Sequence, residues 1–272
     1  MGLRVNTNVA ALTSQRNLGT VTSRLQGNFA RLSSGLRIAT AADDAAGLGI
    51  SERMRGQIRS LTVASRNAQD GVSMAQTAEG ALQEVSNNLT RMRELAVQAS
   101  NGTLTTADRA TLDTEFQALV TEIDRVAGQT TFNGVNLLDG STTSMNIQVG
   151  IDAGQTIALS LSDTTATGLS LGSLSVTSAA NASTALAAID TAVDSVTTTR
   201  GTLGAQMNRM TSAISSILTT RDNLSAAESR IRDVDVATET SDLTRNSILQ
   251  QAAISVLSQA NVQPQLALRL LA

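Results

Sequence analysis

The ionisable side chains of this 272-residue sequence are 23 carboxylates and 20 arginines, and nothing else. His, Cys, Lys, Tyr and Trp are all absent. A carboxylate pair could act as general acid and base, but only inside a concave, desolvating pocket, and nothing in the pattern builds one. Without His there is no Ser–His triad, no imidazole base and no histidine metal ligand. Without Cys there is no thiol nucleophile, disulfide or thiolate metal site. Without Lys there is neither a Walker phosphate loop nor a Schiff base. The expectation is therefore a chain that is not an enzyme and carries no metal or cofactor.

The elements that must carry any function are helical. The three aromatic residues are Phe29, Phe116 and Phe132, so a core of Leu, Ile, Val, Met and Ala is expected, suited to thin seams between helices. Proline occurs once, at Pro264, which leaves the rest of the chain free to form long helices. Residues 1–128 read as helix. Residues 129–178, rich in Gly, Ser, Thr and Asn, alternate like strands, and residues 180–272 return to helix. The fold class is mainly α, with long coiled-coil-like helices from both chain ends and a small β-hairpin region in the middle.

Four segments repeat apolar residues at alternating spacings of three and four, the a/d pattern of helix seams. The first is Leu18, Val21, Leu25, Asn28 and Leu32; the second Leu82, Val85, Leu89, Met92 and Ala96. The third is Leu112, Phe116, Leu119, Ile123 and Val126; the fourth Leu203, Met207, Met210, Ile214 and Ile217. Asp43 and Asp44 stand where acidic side chains favour a helix start, and one helix is predicted from there to about Ser100. Its glycines 47, 49, 56, 71 and 80 each cost about 1 kcal/mol against Ala; close approach of neighbouring backbones is the expected compensation. Thr105 to Asp108 resembles a capping box, so a new helix is predicted near residue 105. Residues 145–149 and 156–161 alternate apolar with polar and read as a β-hairpin. The run 162–184 reads as loop or short strands that would tolerate insertion.

The net charge is −3 with dispersed Arg, so no nucleic-acid binding is expected. The apolar runs are far below the roughly 20 residues that span a bilayer, so no membrane insertion is expected. The opening residues lack the apolar core of a signal peptide. Leu257, Leu266 and Leu270 near one end, like the apolar first thirty residues, need partners: each other, or a neighbouring copy.

These residues resemble bacterial flagellin. Arg31-Leu32-Ser33-Ser34-Gly35-Leu36-Arg37-Ile38 followed by Asp43-Asp44-Ala45-Ala46-Gly47 looks like the family's strongest signature. Asn6-Thr7-Asn8, Ala64 to Ala68, Glu79 to Leu82, Arg93 to Gln98 and Phe132-Asn133-Gly134 also match. So do Ser229 to Ile231, Ile248 to Ala252 and Gln259 to Asn261. The resemblance covers about 1–140 and 185–272. Ala39 to Ala42 depart from the usual residues before the acidic pair, and Ala272 stands where a basic residue is common. The middle zone is short, as in a form lacking large outer domains.

The resemblance implies a structural subunit that polymerises into the helical flagellar filament for swimming motility; a hook–filament junction protein or a minor flagellin is the alternative. It implies an inner coiled-coil domain of residues 1–42 with 228–272 and an outer helical-bundle domain of residues 43–227, which includes a β-hairpin region at about 130–178. It also implies type III export without a cleaved signal peptide, an extracellular location in the filament, and ends that order on assembly. Implied partners are further copies, an export chaperone on about 230–272, filament cap and junction proteins, and a flagellin-sensing Toll-like receptor reading Arg91, Leu95 and Glu115. The self-assembly seams implied are Leu18, Val21, Leu25, Leu32, Leu257, Leu266 and Leu270.

Overall fold

The computed structural model describes the backbone of residues 7–271 and the side chains of residues 7–262. Asn6 and the side chains of Leu266 and Leu270 lie outside that range. The order is α1 (Val9–Ser34), α2 (Ala45–Ala99), α3 (Thr106–Gln129), β1 (Thr131–Phe132), β2 (Val135–Asn136), β3 (Ser144–Gln148), β4 (Thr156–Ser160), α4 (Ala179–Arg232) and α5 (Val236–Leu271). The chain forms two compact units: one of residues 1–56 with 223–272, and one of residues 57–222.

The larger unit holds the core. Leu82, Val85, Leu89, Met92 and Ala96 of α2 have no exposed surface, nor do Phe116 and Ile123 of α3 and Leu203 and Met210 of α4. The second and third predicted seams, with Leu203, Met207 and Met210 of the fourth, therefore meet in one cluster; the first seam, Leu18 to Leu32, and Ile214 and Ile217 of the fourth lie outside it. Each such aliphatic burial is worth about 1.5–3 kcal/mol, which lets a core with one fully buried aromatic hold together. Across it, Arg200 reaches Glu79 Oε1 through Nε at 2.9 Å and through a terminal nitrogen at 2.8 Å.

The predicted helix start is precise. The Asp44 carboxylate accepts from the N–H groups of Ala46 (3.0 Å) and Gly47 (2.9 Å), satisfying donors that an α-helix leaves free. Asp43 instead closes the preceding turn by accepting from Thr40. α2 then runs 55 residues without a break. The expected approach of neighbouring backbones does not occur at these glycines; close side chains account for two of them. A Cβ at Gly71 would stand 2.7 Å from Met210 Sδ, and one at Gly47 would meet Ile38 and Asp44; Gly49, Gly56 and Gly80 face open space. The Thr105–Asp108 capping box forms at the start of α3.

β3 and β4 pair antiparallel, with Met145 opposite Leu159 and Ile147 opposite Ile157; Ile157, Leu159 and Leu161 are buried. A second, two-residue hairpin pairs β1 with β2. Asn133 and Gly134 both take positive φ, 50° and 78°, the combination that a tight Asn-Gly turn requires.

The run 162–178 is a loop, as its composition suggests, but one anchored to the core. Ala166, Leu169, Leu171 and Val176 are buried in the core. α3 holds the segment along its length: Asp124 accepts from the Ala166 N–H, Asp113 from the Val176 N–H, and Gln117 donates to the Leu174 carbonyl, all at 2.7–2.8 Å. α4 already begins at Ala179. The helical return is also divided in two at Asp233–Asp235, where Asp235 accepts from the Ala237 N–H and the Thr238 hydroxyl.

Candidate assembly site

The smaller unit is built on α1 and α5. Their contacts descend in opposite order: Asn8 Nδ2 donates to the Ala260 carbonyl (2.8 Å), Asn246 Nδ2 to Asn28 Oδ1 (3.1 Å), and Arg31 Nε to Glu239 Oε1 (2.9 Å). The two helices are therefore antiparallel. Beyond them, Gly35 turns the chain in the left-handed region (φ 71°) and accepts from the Val234 N–H at 3.0 Å. Leu36 bridges Asp233, and the Arg37 N–H donates to the Arg232 carbonyl at 2.7 Å. Arg232 also reaches Glu52 at 2.7 Å; that hydrogen bond is the first cause holding the Glu52 carboxyl below its ordinary range.

The predicted seam residues Leu18, Val21, Leu25 and Leu32 are half-buried, as is Leu257 on α5. Asn28 is 2% exposed and Asn246 9%. The deeply buried apolar residues of this unit are only Ala11, Ile38 and Ala260 among those described. The opposite faces are open and apolar: Val9 (61%), Leu12 (51%) and Phe29 (56%) on α1, and Ile248 (60%), Ile254 (53%) and Val256 (57%) on α5. Of thirteen large exposed hydrophobics among the described residues, ten belong to this unit. A pair of helices that buries so little and shows so much apolar surface offers a surface for other chains.

In the larger unit, Arg91 Nε donates to Glu115 Oε1 (2.8 Å) and a terminal nitrogen to Glu94 Oε2 (2.9 Å). These bonds, Glu94 first, raise the guanidinium's pKa. Leu95 does not join them at the surface; it is 1% exposed, in the core. An open hollow of about 510 Å³ between α2 and the β3–β4 turn is lined by Arg59, Val63, Asn67, Gln148, Ile151 and Asp152 among others. Asp152 is the one carboxylate in its lining. No group of three carboxylates able to hold a metal occurs among the described residues, and no helix there is long and apolar enough to cross a membrane.

Long helices, a stable bundle and an apolar, half-covered helix pair define a structural protein of the self-assembling helical class. Residues 5–143 match the bacterial flagellin N-terminal helical region and residues 186–271 the bacterial flagellin C-terminal helical region. A flagellin of Halalkalibacterium halodurans is 49% identical over 98% of this chain and 99% of its own. A flagellin of Bacillus subtilis is 45% identical over 99% and 100%. The crystal structure of Bacillus cereus flagellin superposes with a TM-score of 0.52 at 37% identity, covering 60% of this chain and 94% of that one. A putative flagellar hook-associated protein from Vibrio parahaemolyticus shares the fold (TM-score 0.60, covering 70% and 100%) at 16% identity.

The chain belongs to the bacterial flagellin family. It is a structural subunit that polymerises with itself into the extracellular flagellar filament, and not an enzyme. The junction-protein alternative is not favoured.

Proposed function

We propose that the antiparallel α1·α5 pair is the polymerising part of the subunit: an inner domain of residues 1–42 with 228–272, distinct from an outer domain of residues 43–227. The observation that supports this is the concentration of exposed aliphatic and aromatic side chains on that pair while the rest of the chain closes its own core. Open contacts of this kind between successive copies, repeated without closing a ring, generate a helical filament. Leu18, Val21, Leu25, Leu32 and Leu257 then cement α1 to α5, and Val9, Phe29, Ile248 and Ile254 face neighbours. Removing residues 231–272 tests it. The truncated chain is expected to stay soluble and unpolymerised, and sedimentable filaments from it would overturn the assignment.

The α1·α5 surface supports some of the finer partners. Before assembly, an apolar segment at about 230–272 needs cover, the task of an export chaperone; filament cap and junction proteins would meet the same faces at the two ends of the polymer. A Toll-like receptor site would rest on Arg91 and Glu115, which present charge at the surface, with Leu95 holding α2 in place beneath them.

A further inference from the structure

We propose that Asn101 is a site of spontaneous deamidation: the Gly102 backbone nitrogen attacks the Asn101 side chain, ammonia is released, and an aspartyl or isoaspartyl residue is left in the turn between α2 and α3. The reaction does not depend on how the chain polymerises.

Such a step needs an electrophilic side-chain carbonyl, a following residue too small to block attack, and a backbone free to bring the two together. Four Asx-Gly steps occur in the sequence: Asp70-Gly71, Asn101-Gly102, Asn133-Gly134 and Asp139-Gly140. Three of them are restrained. Asp70-Gly71 lies inside α2, where the backbone is fixed by the helical hydrogen-bond ladder. Asn133 and Gly134 form the tight turn between β1 and β2, both at positive φ. Rotating Asn133 toward attack would break that turn and the pairing of Phe132 with Val135, next to the buried Leu137 and Leu138. Asp139 accepts from the Ser141 hydroxyl and N–H, which hold its carboxyl below the ordinary range. An ionised carboxylate is a poor electrophile.

Asn101 escapes all three restraints. α2 ends at Ala99, and Asn101, Gly102 and Thr103 are exposed. Among the described residues the Gly102 N–H has no partner within the chain, so hydroxide can take its proton. The Asn101 Oδ1 accepts from the Thr103 N–H at 3.2 Å. That bond draws the carboxamide across the Gly102 peptide. It also stabilises the negative charge that builds on Oδ1 as the nitrogen attacks, the logic of an oxyanion hole. The carboxamide is neutral and stays electrophilic where Asp139 does not.

The bonds balance. The deprotonated Gly102 nitrogen bonds to Asn101 Cγ, the bond from Cγ to the carboxamide nitrogen breaks, and ammonia leaves with a proton from water. Water then opens the cyclic imide at either carbonyl, giving aspartate or isoaspartate. Arg109 spans this turn, donating to the Ala99 carbonyl at 2.8 Å and the Asn101 carbonyl at 2.9 Å. The new carboxylate therefore forms close to a guanidinium that offsets its charge.

The test is peptide mapping of the full chain, as single subunits, during incubation in mild alkali. No side chain titrates there, so the rate reads the Gly102 nitrogen and is expected to rise in proportion to hydroxide. Cleavage after Arg releases residues 94–109, which hold Asn101, and residues 126–200, which hold Asn133. The 94–109 fragment is expected to gain about one dalton at Asn101 while Asn133 stays intact. The modified chain is expected to run level with N101D on isoelectric focusing. Gly102 is not at positive φ, and a Cβ there meets nothing within 4 Å, so G102A should fold as the parent does by circular dichroism. Its methyl group is expected to slow the change about tenfold, a barrier higher by about 1.4 kcal/mol. An Asn101 that stays intact would overturn the proposal. So would conversion of Asn133 as fast as Asn101, or equal rates in G102A and the parent.

Discussion

Arg31 on α1 donates to Glu239 on α5 across 208 residues of chain, at 2.9 Å, and Glu239 keeps only 12% of its side-chain surface exposed. A carboxylate so enclosed depends on its partner. Arg31→Ala is expected to destabilise the helix pair by about 1–3 kcal/mol, lowering the temperature at which filaments depolymerise. Glu239→Gln, which keeps an acceptor and removes the charge, is expected to do less harm. Equal melting of wild-type and R31A filaments would show that the pair is a solvated contact.

Gly71 and Gly80 lie on the same helix and respond oppositely to a methyl group. At Gly71 a Cβ meets Met210 Sδ at 2.7 Å and Ile147 at 3.1 Å; at Gly80 it meets nothing. G71A is expected to cost about 1–3 kcal/mol through overpacking. G80A is expected to gain up to about 1 kcal/mol from helix propensity. Thermal unfolding followed by circular dichroism checks both signs.

The clamp on residues 162–178 depends on Asp113 and Asp124. Replacing either with Ala strands a backbone N–H, of Val176 or Ala166, at a cost of about 1–3 kcal/mol where that group stays buried. Limited digestion with a protease that cleaves after Leu is expected to cut D113A or D124A at Leu169 or Leu171 before the parent chain. Identical digestion patterns would contradict the clamp.

The pH profile should be one-sided. Asp43, Glu52, Asp108, Glu122, Asp139 and Asp235 all have carboxyl pKa values lowered by hydrogen bonds; for Asp108 the Thr105 side chain comes first, and for Asp235 the Thr238 side chain. A group whose folded pKa is depressed stabilises the fold above its unfolded value and loses that contribution as pH falls through the folded one. Stability is therefore expected to drop below about pH 4. With His, Cys, Tyr and Lys absent, no side chain titrates between the carboxylates and the guanidiniums, whose pKa lies above that of every other side chain. Melting temperature should then hold level from neutral pH into strong alkali. A transition between pH 7 and 11 would contradict this.

Periodicity made the seams legible: Leu82 to Ala96 and Leu203 to Ile217 fell where spacing put them, because helix geometry is local and repeats. Asp44, Thr105 and the β3–β4 hairpin were legible for the same reason, their partners being within a few residues or in alternating pattern. The clamp was not, since Asp124 and Asp113 find their N–H partners 42 and 63 residues away and nothing local marks them. The composition of residues 162–178 signalled a loop, while Leu169, Leu171 and Val176, which belong to the core, are too sparse to show a period. The break between α4 and α5 carries a local signal, Asp235 followed three residues later by Thr238, which together cap α5. Asn28 stood out as a polar member of an apolar seam, but Asn246 did not, because the apolar residues of α5 are scattered around the helix and Gln250 is also on the face turned to α1.

The central claim is that the exposed face of α1·α5 drives assembly, and Phe29 and Ile248 test it most directly. They are 56% and 60% exposed in the single subunit, so F29D/I248D should leave the fold of residues 57–222 and its melting intact. Electron microscopy and sedimentation of the concentrated double variant are predicted to show no filaments where the parent chain forms them. Filaments of normal length and abundance from F29D/I248D would contradict the account.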